Sequence, residues 1–372
     1  MSNHPEHNPA SVTGATGDRV ADVLAFIAQD GCTNDDFDRL ALRLFAHQYG
    51  NNQVYRRFCQ RRGATPHNVK RWSDIPAVPI DAFKELDLWC APPAATDRVF
   101  MTSGTTRNEV KGRHRHPTLA VYDRSMIRNF SSRFMHGSGR MRMGILFPTE
   151  AVLANSSLAH YLALALEEFG TEESRYFVSP QGLDTPGLCD ALAQAERQGV
   201  PYALLGASYS FVNLIDELKQ RGRSFRLPPG SRVLDTGGYK GQSRELPLDA
   251  FYAQLSALFG IERSQCVNMY GMTELSTQFY DAGNASVPSV KSGPHWIRSR
   301  LVDPLTGRDV ARGERGILVH CDLANFNSVT TILTEDVGLA TDGGFLLLGR
   351  AEGAQAKGCS LAVEEFIRAA AA

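Results

Sequence analysis

The run Met101-Thr-Ser-Gly-Thr-Thr-Arg-Asn-Glu-Val-Lys111 gathers groups that bind phosphate oxygens. Thr102, Ser103, Thr105 and Thr106 carry hydroxyl donors, Gly104 lets backbone amides approach an anion, and Lys111 adds a point charge. It is not a Walker loop, because Lys111 is followed by Gly112 and Arg113 and not by Ser or Thr at the start of a helix. The same composition also makes ordinary turns, so the phosphate reading needs companions elsewhere in the chain. Three stretches supply them. In Asn268-Met-Tyr-Gly-Met-Thr-Glu274, Tyr270 suits stacking on a base and Gly271 permits close approach. Thr273 offers a hydroxyl to a phosphate, and Glu274 is a hard oxygen ligand for the magnesium that accompanies ATP. In Leu234-Asp-Thr-Gly-Gly238, the paired Gly237 and Gly238 make a flat wall for a purine. In Thr334-Glu-Asp-Val-Gly338, Asp336 can accept both ribose hydroxyls, with Arg350 closing the run that follows.

Such residues must stand at the carboxyl ends of parallel strands, where open α/β sheets hold ligands. The chain supplies the elements for that arrangement. Apolar runs over 143–147, 202–206, 232–235 and 266–270 predict strands, and helical spacing over 156–169, 188–198, 211–221 and 248–259 predicts helices, three of them closed by Gly170, Gly199 and Gly260. Alternation of the two predicts a mostly parallel sheet with flanking helices. From Gly316 onward the β-branched runs 317–321, 329–333 and 345–348 predict a smaller antiparallel β region. Asn34, Asp35 and Asp36 cap a helix near Thr33, and 53–62 predicts another, which together make a helical segment over 33–62 at the entrance of the fold. Residues 1–20 lack periodicity and read as a flexible leader.

Composition narrows the function classes. The 372 residues carry a net charge of -1, with 39 basic against 40 acidic residues, which argues against nucleic acid or an anionic membrane as the partner. No stretch reaches the length of a membrane span, and the polar start has no secretory core, so a cytoplasmic location is the default expectation. Seven scattered cysteines without a Cys-x-x-Cys pair indicate neither a disulfide framework nor a zinc site.

The four motifs in this order resemble the adenylate-forming superfamily, which activates carboxylic acids with ATP. Thr102–Thr106 is similar to its phosphate loop, Gly237-Gly238 to its adenine wall, and Tyr270-Gly-Met-Thr-Glu274 to its Tyr-Gly-x-Thr-Glu motif. Thr334-Glu-Asp336 is similar to its Thr-Gly-Asp ribose motif, with Glu335 in place of the glycine, and Arg107 stands where the loop usually has glycine. Within the superfamily the resemblance points to the LuxE-like acyl-protein synthetases, through 46–52, 75–84, 236–241 and 349–361. The resemblance implies an adenylation domain over 21–349, a phosphate loop at 101–111, and a mobile tail at 350–372 in place of most of a C-terminal lobe. That lobe carries a lysine used in adenylation; either Lys357, a symmetry mate or a partner protein substitutes for it, or adenylation runs slowly without it. It further implies ATP and magnesium as cofactors, a fatty or aromatic carboxylic acid as substrate, and Cys359 as the acyl-accepting nucleophile. Coenzyme A is the alternative acceptor, and a reductase or carrier protein the expected partner, with a homo-oligomer expected. Thr273, Glu274, Lys111 and Cys359 become the catalytic candidates, and Ser208 and Tyr209 the candidates for substrate contact.

Two other classes remain open at this point. Gly206-Ala-Ser208-Tyr-Ser210 follows a strand and precedes a helix, like the nucleophile elbow of serine hydrolases, although its last glycine is absent. A non-catalytic nucleotide-binding protein would also keep these motifs.

Overall fold

Between residues 142 and 280 the alternating pattern folds into a six-stranded sheet, in the computed structural model that describes residues 15–94, 97–102, 110–238 and 242–371. Ser103, Gly104, Thr105 and Thr106 lie outside the described residues, as does Arg107. The chain forms two units. One comprises the chain up to Met126 with Met272–Thr277 and Gly293–Ala372; the other comprises Ile127–Gly271 and Gln278–Ser292.

In the second unit the strands run in the order Arg175–Tyr176, Arg142–Leu146, Tyr202–Ala207, Arg232–Thr236, Cys266–Tyr270 and Phe279–Tyr280. All pair in parallel except the last, which is antiparallel to Cys266–Tyr270. The two central strands are buried along their length, and Tyr202–Ala207 reads as a continuous apolar run, as strands covered on both faces do. Gly206 is required by close approach: a Cβ there would stand 2.7 Å from the Leu146 carbonyl oxygen. Helices Ser157–Phe169, Thr185–Gln198, Ser208–Gln220 and Leu248–Phe259 flank the sheet, and the apolar faces of the last three join it in one core that includes Leu188, Phe211, Leu214, Ile215, Phe251 and Phe259. Helix 185–198 begins three residues earlier than its apolar spacing predicts, because Asp184 accepts from Gly187 N–H and Pro186 sits in the first turn.

In the first unit, Ile297–Val302, Arg315–Asp322, Thr331–Thr341 and Gly344–Arg350 form an antiparallel sheet, and Val78–Pro79 pairs in parallel with Thr331–Thr341. A separate hairpin joins Arg98–Met101 to Arg113–His116. Helix Asn34–Asn51 is capped by Thr33 in a reciprocal capping box with Asp36, and Asn52 caps Gln53–Arg61.

Three segments differ from the sequence expectation. Ala15–Ile27 is a helix that begins inside the stretch read as a leader, and it buries Val20, Val23, Phe26 and Ile27 at helical spacing. The strand expected at 329–333 instead runs Thr331–Thr341, and a register shift between Ile317 and Val319 of the neighbouring strand accommodates its polar centre, Thr334, Glu335 and Asp336. The stretch read as a mobile tail is a 19-residue helix, Gly353–Ala371. Its apolar stripe explains the difference: Cys359, Ala362, Phe366 and Ala369 are buried, Phe366 lies 4.6 Å from the Phe58 ring, and Glu365 pairs with Arg62 at 2.5 Å. Burying one such aromatic contributes about 2–3 kcal/mol.

Candidate functional site

The hairpin Arg98–Met101/Arg113–His116 fixes both ends of the expected phosphate loop. Beyond its last paired residues, Thr102 N–H donates to the Gly112 carbonyl at 3.0 Å and Gly112 N–H donates to Thr102 Oγ1 at 2.9 Å. Lys111, one residue before this clamp, is exposed. Against Gly112 stands Glu274: a Cβ built on Gly112 would lie 3.1 Å from Glu274 Oε1 and 3.1 Å from Thr102 Cγ2. The loop base and the Glu274 carboxylate are thus in direct apposition, and any side chain at position 112 would push on both neighbours.

Glu274 is 3% exposed, and burial raises its carboxyl to about pH 7, against the smaller opposing effects of its own N–H, Arg350 and Lys84. Its backbone is tethered too, since Asn325 Nδ2 donates to the Glu274 carbonyl at 2.8 Å. The following residues are held by Asp322. One of its carboxylate oxygens accepts from Ser276 and Thr277 N–H, both at 2.9 Å, and the other from Thr277 Oγ1 at 2.8 Å and Ala324 N–H at 3.0 Å. Burial raises Asp322 to about 6. On the other side His114 Nδ1 lies 3.1 Å from the Thr273 carbonyl, an acceptor that makes Nδ1 the protonated nitrogen. Burial lowers the His114 ring to about 4, so it is neutral at physiological pH. Thr273 itself is half-buried.

Asp336 and Arg350 face each other in register across Thr331–Thr341 and Gly344–Arg350, with Arg350 Nε 3.4 Å from Asp336 Oδ1. Arg350 also binds Glu335 at 2.9 Å, so the residue that replaces the glycine is part of the same cluster. Cys359 is 4% exposed, in an apolar cluster with Val302, Ile317, Val319, Leu333 and Val337, and its Sγ points to the Thr334 carbonyl at 3.9 Å. Burial, followed by the carboxylates of Glu335, Asp81 and Asp336, raises its thiol to about 11. In this conformation the thiol is held away from the ionised form that acts as a nucleophile.

The second unit holds the remaining candidates. Gly237 and Gly238 are exposed directly after strand Arg232–Thr236, and Tyr270 ends the neighbouring strand, 9% exposed and 5.8 Å from the Phe279 ring. Gly271 beside it is exposed. Thr236 Oγ1 ties the two strand ends by donating to the Met269 carbonyl at 2.8 Å. Tyr209 is half-buried, whereas Ser208 is buried and donates to Asp235 Oδ2 at 2.7 Å, with the carbonyls of Thr236 and Gly237 at 3.1 and 3.0 Å. The nucleophile-elbow alternative has no support here: the Ser208 hydroxyl is engaged by a carboxylate and two carbonyls, not by an imidazole.

Several residues to which the motifs give no role shape these strand ends. Asp235 also accepts from Tyr252 OH at 3.0 Å and Asn268 Nδ2 at 2.9 Å, and burial raises it to about 6. Asp281 takes Lys291 Nζ and Ser289 Oγ, each at 2.6 Å, together with Asn268 N–H at 3.0 Å. Gln48, from helix Asn34–Asn51, donates to the Asn325 carbonyl and so supports the Glu274 tether. No local pattern marks Asp235, Asp281, Asp322 or Gln48; the only available signal is an acidic or amide side chain inside an otherwise apolar run.

Among the described residues no cluster of three or more His, Cys, Asp and Glu side chains is arranged to hold a metal ion alone, and no helix is long and apolar enough to cross a membrane. Glu274 fits the role of a single protein ligand to a cation whose other ligands are phosphate and water.

Comparison with known proteins agrees with this architecture. The chain is 22% identical over 315 residues to the long-chain-fatty-acid luciferin-component ligase of Vibrio harveyi, covering 82% of this chain and 79% of that one. The corresponding ligase of Aliivibrio fischeri is 22% identical over 309 residues, with the same coverage. Among solved structures, an open conformation of 2-hydroxyisobutyryl-CoA ligase, in complex with 2-HIB-AMP and CoA, superposes with a TM-score of 0.60 at 15% identity. That match covers 94% of this chain and 79% of the ligase and carries the adenylate-forming α/β fold. The profile of the family described as acyl-protein synthetase, LuxE, spans residues 18–367, and the chain belongs to that family.

Proposed function

We propose that the chain activates a carboxylic acid with ATP and magnesium, forming an acyl adenylate, and passes the acyl group to a thiol. The observation that carries this reading is the apposition of Glu274 with Gly112 and Thr102, at the base of a loop rich in phosphate-binding groups. Thr102, Ser103, Gly104, Thr105, Thr106 and Lys111 would hold the triphosphate, with Thr273 beside them. Glu274 would hold the magnesium, which supplies charge neutralisation at the phosphates. Gly237, Gly238, Tyr270 and Gly271 would receive the adenine, Asp336 and Arg350 the ribose, and Tyr209 the acid. Because Ser208 is already engaged, it would shape the acid pocket through Asp235 and Gly237. The adenylation domain would span 21–349, with Arg350 directly after it, and the helix that follows carries Cys359.

The names of the Vibrio harveyi and Aliivibrio fischeri relatives make long-chain fatty acids the first substrates to test. Cys359 as acceptor requires Gly353–Ala371 to leave its seat on Phe58, since a thiol raised to about 11 has little thiolate at neutral pH. That burial favours a second reading, in which a diffusible thiol such as coenzyme A takes the acyl group. Pyrophosphate exchange into ATP, measured over a panel of fatty and aromatic acids, tests the first half; absence of exchange with every acid despite ATP binding refutes it. Intact-mass measurement of the wild-type protein and of Cys359→Ala then separates the acceptors, because only acylation of Cys359 gives an adduct that the variant loses.

A further inference from the structure

The strand Val78–Pro79 lies parallel to Thr331–Thr341 with Pro79 opposite Leu333, and Ile80 N–H donates to the Leu333 carbonyl at 2.9 Å. The chain that follows is therefore delivered beside Thr334, Glu335 and Asp336. Its one-turn helix, Ala82–Glu85, seats Phe83 beneath the phosphate-loop clamp: a Cβ on Gly112 would be 3.6 Å from Phe83 Cβ, and the Phe83 ring meets His114 edge-on at 5.9 Å. Lys84, the next residue, is thereby brought to the corner where Glu274 approaches Gly112.

Three features distinguish Lys84 from the other cations of this corner. Its Nζ is held by Asp81 Oδ1 at 2.9 Å, which gives a flexible side chain one direction. Its side chain is 31% exposed against 66% for Arg350, so water screens its charge less. Arg350 is engaged by Glu335 and Asp336 together, whereas Lys84 pairs with Asp81, and its field reaches both Glu274 and Glu335. Asp81 also hydrogen-bonds Glu335, so Lys84, Asp81 and Glu335 form one linked group.

We propose that Lys84, aligned by Asp81, is a further catalytic residue of acid activation, its ammonium neutralising charge on the α-phosphoryl oxygens as the substrate carboxylate attacks. This inference rests on the ligase reading above. In that step a bond forms between a carboxylate oxygen and the α-phosphorus, the bond from that phosphorus to the α,β-bridging oxygen breaks, and its electron pair leaves with pyrophosphate. Lys84 keeps its proton throughout. Phosphoryl-group reactions of this kind are accelerated chiefly by positioned charge, and a point charge on a flexible stem can follow the oxygens as they move.

The test compares pyrophosphate exchange at saturating acid in the wild-type chain, Lys84→Met, Lys84→Arg and Lys84→Ala, the last with and without added ethylammonium. Lys84→Met is expected to lose roughly 100-fold or more in kcat, the effect of removing one positioned charge donor. ATP affinity by calorimetry is expected to change by less than about threefold, since the contact belongs to the transition state. Lys84→Arg keeps part of the rate, and ethylammonium restores Lys84→Ala along a saturable curve, which a merely structural lysine would not allow. Circular dichroism reports folding, and if Lys84→Met does not fold, Lys84→Ala and Lys84→Arg carry the same comparison. Exchange by the variants within about threefold of the wild type overturns the assignment of Lys84 and leaves the ligase reading standing. Absence of exchange by the wild-type chain overturns both.

Discussion

Glu274→Gln separates what burial of this carboxyl costs the fold from what the carboxylate contributes to chemistry. Burial raises the group from 4.5 to about 7 in the folded chain. A shift of about 2.5 units corresponds to roughly 3 kcal/mol between the protonation states. The sign follows from proton uptake: between pH 4.5 and about 7 the folded chain keeps the Glu274 proton and the unfolded chain does not. The stability associated with that proton is complete below pH 4.5 and lost as pH rises through about 7. Glutamine does not ionise, so without metal the variant should match the wild type at low pH and exceed it near pH 8 by up to about 3 kcal/mol. The need to satisfy a buried amide makes that figure a ceiling. At about 2.1 cal/mol/K per residue, the gain corresponds to roughly 4 °C in Tm for a chain of this length. Asp235 and Asp322 titrate in both proteins and cancel in the difference. Thermal and urea unfolding from pH 5 to 8 gives the two curves, and magnesium with ATP should raise the midpoint of the wild type at pH 8 while leaving the variant unmoved. Pyrophosphate exchange by the variant should fall by about 100-fold. Wild-type and variant stability curves that run parallel across this range refute the burial argument, and an equal response to magnesium refutes Glu274 as its ligand.

Gly112→Ala places a methyl 3.1 Å from both Glu274 Oε1 and Thr102 Cγ2, so pyrophosphate exchange should drop at least tenfold, by about 1.4 kcal/mol or more in the barrier, while the unfolding midpoint shifts little. Asp322→Ala takes the acceptor from Thr277 N–H, Thr277 Oγ1 and Ala324 N–H, while Ser276 N–H keeps Asn325 Oδ1, and should cost about 3–5 kcal/mol, read by urea denaturation, with Asp322→Asn losing less. Phe366→Ala removes the ring packed on Phe58 and weakens helix docking by about 3 kcal/mol or more, so alkylation of Cys359 at pH 8 should accelerate at least tenfold over the wild type.

The elements bounded by strong punctuation were legible in the sequence. Helix Leu248–Phe259 and strand Cys266–Tyr270 have the boundaries their patterns predict, because Pro247 and Gly260 delimit the helix and a run apolar but for Asn268 makes the strand. Elements whose stability comes from distant partners were less legible. Thr331–Thr341 contains Glu335 and Asp336, which read as a turn by composition, yet register with Gly344–Arg350 keeps them in the sheet. Cys359 lies in an alanine-rich stretch that resembles a loose tail, and its helical stripe has meaning only when Phe58 and the sheet are there to receive it. In the site, the motif residues themselves stood out by type and spacing. Their supports did not: Asp322 reaches back 45 residues to Thr277, and Gln48 reaches forward 277 residues to Asn325, distances over which no periodicity carries information.

Sulfur exposure in this chain is lopsided. Six of the seven cysteines are buried, and only Cys32, whose Sγ lies 3.5 Å from the His295 carbonyl, is half-open to solvent. A folded sample kept in air should therefore tolerate the loss of reducing agent, with any covalent dimer linked through Cys32. A maleimide dye added at neutral pH would label that one position, giving a single-site fluorescent handle without removing any other cysteine.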